Sequence, residues 1–188
     1  FIYCDQFNID GAAAGVTGKY SLSLSSLFDP NVTGAGHQPG GFDELMAIYE
    51  KYCVIEAEYR ITLSNANSGV GAFNCCSISD VPTSDNDIRT IIENGQCQHH
   101  VLGLNTGGAS VKTFSGTVDI AKAHGVSRAQ LLSDDTFWGG ATISPADQIF
   151  LKLASTGVNF AADGPQCNVV AEIKYKAVLM GSQFVTQS

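Results

Sequence analysis

Charge is what this sequence is shortest of. Asp, Glu, Lys and Arg make up 15% of its 188 residues, against about 25% in an ordinary globular chain. Ten Lys and Arg stand against eighteen Asp and Glu, the net charge is −8, and the cations do not cluster. That balance argues against a strong nucleic-acid footprint within these residues. Long apolar runs are missing too, and none approaches the roughly 20 residues a helix needs to cross a bilayer, so no membrane partner is expected. Proline is rare, and no internal repeat, low-complexity tract or Pro/Ser linker divides the chain, so residues 1–188 read as one domain. Neither Met nor a basic segment precedes Phe1. The chain is therefore expected to begin inside a longer product.

Catalytic signatures are equally scarce. There is no G-x-S-x-G elbow, no P-loop and no dinucleotide fingerprint; the glycines at 34–36 and 40–41 lack the strand and helix those motifs require. Six cysteines (Cys4, Cys53, Cys75, Cys76, Cys97, Cys167) follow neither a disulfide framework nor zinc spacing. Cys75 and Cys76 are adjacent and would point to opposite faces of a strand. All six are expected to be small buried hydrophobes in a reducing compartment. Cys97 and His99 would share a strand face and could supply two metal ligands, but structural zinc takes four and catalytic zinc three. No metal or cofactor is assigned, and His99 is expected to be buried and hydrogen-bonded. His124 would end a helical turn, and Asp134–Asp135 reads as a turn rather than a cation site.

What is present is a period of two. Along Cys53–Leu63, Cys53, Ile55, Ala57, Tyr59, Ile61 and Leu63 share one face, and Val54, Glu56, Glu58, Arg60 and Thr62 the other. Asn168–Met180 repeats the design, with Val169, Ala171, Ile173, Tyr175 and Ala177 inward and Glu172, Lys174 and Lys176 outward. Tyr20, Leu22 and Leu24 alternate with Ser21, Ser23 and Ser25. Shorter candidates at Phe1–Ile9, Val70–Ser79, Cys97–Gly103, Ser110–Val118 and Gln148–Ala154 bring the total to eight strands.

Helices are few and brief. Phe42, Leu45, Met46 and Tyr49 recur at i, i+3, i+4 and i+7. Asp85 could cap a helix carrying Ile88, Ile91 and Ile92. A third lies within Val118–Leu132, broken at Gly125 and restarted with Ser127 as N-cap.

Eight strands separated by long connections at 27–50, 80–96 and 119–146 fit an all-β, antiparallel jelly-roll sandwich with two or three short helices in its loops. In such a sandwich the strand at 52–64 and the last strand are neighbours. Glu56, Glu58 and Arg60 would then meet Glu172, Lys174 and Lys176 across strands.

The stretch Leu27–Leu63 carries a resemblance. Gly36, His37, Gln38 and Pro39 precede Gly41, Phe42 and Asp43, and Tyr49, Tyr52 and Val54 follow at a strand entry. Over about a fifth of the chain this resembles the capsid proteins of circovirus-like small circular single-stranded DNA viruses. The resemblance implies a viral coat protein, not an enzyme. It would self-assemble into an icosahedral homo-oligomer of about sixty copies around a single-stranded DNA genome, in a virion assembled in the host cell nucleus. It also implies a basic arm upstream of Phe1 that binds the genome. Subunit contacts are expected at His37, Gln38, Pro39 and Trp138, though the loop residues could instead hydrogen-bond their own backbone and Trp138 could pack under its loop. Arg60, Lys174 and Lys176 are the cations available to genome phosphates, unless they only neutralise Glu56, Glu58 and Glu172. Two other readings stand beside it: a lectin-like or trimeric ligand-like jelly-roll binding module, and a cupin-like metal enzyme.

Overall fold

In the computed structural model, which describes residues 1–11, 15–33, 36–67, 69–82, 88–93, 96–105, 110–159 and 163–182, the alternating segments become two antiparallel sheets. The strands are β1 (Ile2–Ile9), β2 (Gly18–Ser23), β3 (Tyr49–Asn65), β4 (Ala72–Ser79), β5 (Cys97–Leu102), β6 (Val111–Asp119), a two-residue β7 (Gly139–Gly140), β8 (Phe150–Gly157) and β9 (Cys167–Ser182). One sheet runs β1-β9-β3-β6, with β7 beside the start of β3; the other runs β2-β8-β4-β5. With β7 set aside and the eight long strands lettered B to I, these orders are B-I-D-G and C-H-E-F. That is the jelly-roll arrangement.

Apolar side chains from the facing sheets fill the space between them. Leu22, Leu24, Ile61, Leu63, Leu151, Leu153, Ala171 and Ile173 have no exposed surface. Each buried Leu or Ile contributes roughly 1.5–3 kcal/mol. Three tyrosines join one sheet to the other through their hydroxyls. Tyr175 donates to the Ser23 carbonyl at 2.6 Å, and Tyr59 accepts from the Gln98 amide at 3.1 Å. Tyr52 reaches the turn that follows β2, where its hydroxyl accepts from the Leu27 and Phe28 amides, both at 3.1 Å.

The alternation of β3 fails at one place. The β3–β9 register shifts between Val54 and Glu56, leaving Ile55 as the extra residue of a β-bulge that reverses face parity. Val54, expected on the wet face, is buried and pairs with Ala177. Cys53 turns to the opposite side, where its Sγ lies 3.9 Å from the Leu131 carbonyl. Burial pushes the Cys53 thiol up to about 11. In β2 and the two residues after it the serines are as buried as the leucines. Ser23 Oγ accepts from Ser26 N and donates to Gln148 Oε1, and Ser25 Oγ accepts from Ile149 N, so these polar groups are satisfied inside the fold.

The helices are α1 (Phe42–Met46), α2 (Ile88–Glu93), α3 (Ile120–Ala123) and α4 (Arg128–Ser133). Helix α1 stops before Tyr49, which is instead the first residue of β3, paired with Ser182. Residue Asp85 lies outside the described residues. Gly125, at φ +70°, ends the α3 turn in the left-handed region that suits glycine. Ser127 then caps α4 in a capping box with Gln130.

Candidate functional site

The outward face of the β1-β9-β3-β6 sheet carries the charged ladder. Glu56 is opposite Lys176, Glu58 opposite Lys174, and Arg60 opposite Glu172. Three cations thus meet three acids, and the ladder is neutral as a unit. Its ion pair within 4 Å is Lys174 to Glu172 on the same strand, at 3.6 Å. No described carboxylate lies within 4 Å of Arg60 or Lys176.

The loop before α1 forms a second region. His37 is exposed and its ring lies 4.9 Å from that of Tyr3. The Tyr3 hydroxyl donates to Asp5 Oδ2 at 2.7 Å, and the same oxygen accepts from Asn31 Nδ2. Among the described residues neither His37 nor Gln38 makes a hydrogen bond to loop backbone, as one reading expected; Gln38 is half-buried and Pro39 buried. The Pro39 carbonyl accepts from Phe42 N, and Gly41, at φ +82°, turns the chain into α1. These residues wall an open cleft of about 580 Å³ with Asp29, Asp43 and Glu44. Trp138 is elsewhere, under the loop that follows α4. It is 8% exposed, donates through Nε1 to the Leu132 carbonyl, and has Lys51 Nζ 5.1 Å over its ring. Little of its surface is left to offer a neighbour.

Sequence reasoning missed the end of the sandwich where the β1–β2, β3–β4, β5–β6 and β8–β9 connections meet. Asn65 ties the β3–β4 and β5–β6 connections together, donating through Nδ2 to the Val70 and Gly103 carbonyls at 2.8 and 2.9 Å. Ala66 N donates to Gln166 O, Asn105 N to Asn67 O, and Val158 N to Gly71 O. On this braced frame Leu104, Val111 and Val158, and beside it Val16 of the β1–β2 connection, are each more than two-fifths exposed. The only sequence signal is apolar residues at strand ends where turn residues are usual.

The cysteines and histidines divide by position. Cys75 and Cys76 do point to opposite faces: Cys76 joins the main core, and Cys75 packs beneath α2 with Ile88 and Ile91. All six thiols are free, but Cys4 is exposed and Cys97 half-exposed, contrary to the expectation of uniform burial. His99 is likewise exposed, stacked on Phe73 at 5.8 Å, because β5 is an edge strand whose outer side chains meet solvent. His124 closes α3. Its Nε2 is buried without a described partner, and burial lowers its pKa against the raising influence of Asp147 and Asp80. The unfolded imidazole, near the ordinary ~6.5, binds the proton more readily than the folded one. Stability is therefore expected to fall as pH drops below about 6.5, levelling off below the folded pKa. Urea midpoints at pH 7.5 and 5.5 check this, and the drop is expected to shrink in His124→Gln.

The sequence matches no protein-family model and no curated protein. Among solved structures, it is similar to a chain of Desmodium yellow mottle tymovirus, 11% identical with a TM-score of 0.43 over all of this chain and 91% of that one. A sacbrood virus of honeybee chain is 10% identical with a TM-score of 0.49, over all of this chain and 87% of that one. The capsid protein of Penaeus vannamei nodavirus, in a T=1 subviral particle, is 15% identical with a TM-score of 0.47, over 95% of this chain and 96% of that one. All three belong to viruses; the jelly-roll assignment itself rests on the strand order.

Proposed function

We propose that this chain is a viral coat-protein subunit that associates with copies of itself into a closed icosahedral shell around a single-stranded DNA genome. The observation that carries self-association is the braced end of the sandwich, where Val16, Leu104, Val111 and Val158 stand in solvent. Apolar side chains held in solvent at one end of a sandwich suit burial against an identical neighbour around a symmetry axis. The resemblance of residues 27–63 supports the circular single-stranded DNA genome, and with it virion location and assembly in the nucleus. His37, Gln38 and Pro39 join the contacts through their open cleft. Arg60, Lys174 and Lys176 look toward the genome, but Glu172, Glu58 and Glu56 balance them in register. Most of the phosphate attraction is therefore assigned to the basic arm that the resemblance implies.

Native mass measurement and negative-stain microscopy test this reading. Sixty copies of a 19.8 kDa chain are expected to give hollow particles of about 1.2 MDa. A monomer or trimer under all salt and pH conditions would sink the shell, and with it favour the binding-module reading.

A further inference from the structure

We propose that the outer face of the β2-β8-β4-β5 sheet carries a site for the phosphate group of a small molecule, built on Lys152. This lysine sits in the middle of β8, in register between Ser21 of β2 and Ser77 of β4. It is 4% exposed, yet it makes no ion pair or hydrogen bond with any described residue. Its side chain lines a cleft of about 560 Å³, between α2 on one side and α3 on the other. Its ammonium meets solvent through this cleft, and a charge on a side chain so nearly covered is ordinarily paired. Packing gives no reason to keep it, since methionine would fill the same space.

The rest of the wall offers what an oxyanion needs. Ser77 and Ser79 bring hydroxyls, Gln96 an amide, and Lys122 of α3 a second positive charge. Asp80 is the one described acid of the wall, and the Ser79 hydroxyl lies 3.5 Å from it. Among the described residues of the wall two cations stand against one acid, in a chain of net charge −8. The volume exceeds that of a phosphate ion and falls among small-molecule sites, which run about 300–1,000 Å³. A phosphate carried on a group of nucleoside size therefore fits. The site lies within one chain and does not depend on the shell reading.

Thermal unfolding at constant ionic strength tests it, with chloride replaced by inorganic phosphate in one arm and by a mononucleotide in the other. The wild-type midpoint is expected to rise and saturate, the rise to vanish in Lys152→Met and to shrink in Lys122→Met. Without phosphate, Lys152→Met is expected to melt no lower than wild type. Saturation at tenfold or more lower mononucleotide concentration would assign the larger ligand, and equal concentrations the phosphate group alone. Equal responses of wild type and Lys152→Met to both probes would overturn the site. Should that variant fail to fold, phosphorus NMR on the wild type decides: the phosphate line is expected to broaden, and an unbroadened line overturns the proposal.

Discussion

Replacing Tyr52 with phenylalanine is expected to lower the unfolding free energy by roughly 2–5 kcal/mol, with urea denaturation as the measurement. The hydroxyl holds three partners: the Leu27 and Phe28 amides and Ser26 Oγ at 3.2 Å. Leu27 is fully buried, so its amide would lose its acceptor with little access to water. A buried donor left unmade costs about 1–3 kcal/mol, more than the bond itself contributes. The ring cannot slide to compensate. Phe42 meets it edge-on at 5.5 Å, and Gly139 lies so close that a Cβ there would overlap the ring. Tyr59→Phe provides the contrast. Its hydroxyl has one described side-chain partner, Gln98, on an exposed strand, and its loss is expected to cost no more than about 1 kcal/mol. Equal losses in the two variants would contradict the assignment of Tyr52 as the clamp on the turn after β2.

The contrast also explains what could be read ahead of the structure. All eight long strands, their pairing across Glu56–Arg60 and Glu172–Lys176, and the Gly125 break with its Ser127 restart were legible. The strands and the restart depend on local periodicity or on a capping residue whose effect is confined to a few neighbours, and the pairing follows from the jelly-roll order those strands imply. The bulge at Ile55 was not legible. Whether Val54 or Cys53 faces inward is decided by a register against β9, more than a hundred residues away, and by α4 settling over Cys53. Tyr52 was noted only as part of a motif, and its role as a clamp comes from a turn that closes after β2. The burial of Trp138 and the exposure of His99 were fixed by which elements cover which strand, another non-local matter. Lys152 announced itself weakly, as a charge inside the apolar run Ile149–Ala154; nothing along the chain said that the charge would be enclosed.

Introducing aspartate at both Leu104 and Val111 is expected to abolish particles while leaving the subunit folded. Leu104 is 44% and Val111 59% exposed, so each change is expected to alter stability by no more than about 0.5 kcal/mol. Assembly is another matter. In a closed symmetric shell the same patch recurs around each axis, so two substitutions place charges of one sign against each other in every contact. Juxtaposed like charges cost several kcal/mol in an association, and the apolar burial that favoured contact is lost with them. At concentrations where wild type is fully assembled, the double variant is expected to sediment as free subunits. Met180→Asp is the matched control. Met180 is 44% exposed near the far end of β9, in register with Lys51, away from the braced end, and its variant is expected to assemble. Particles from both variants would move the contacts off the braced end of the sandwich. Loss of particles from Met180→Asp alone would place them at the opposite end, beside the start of β3.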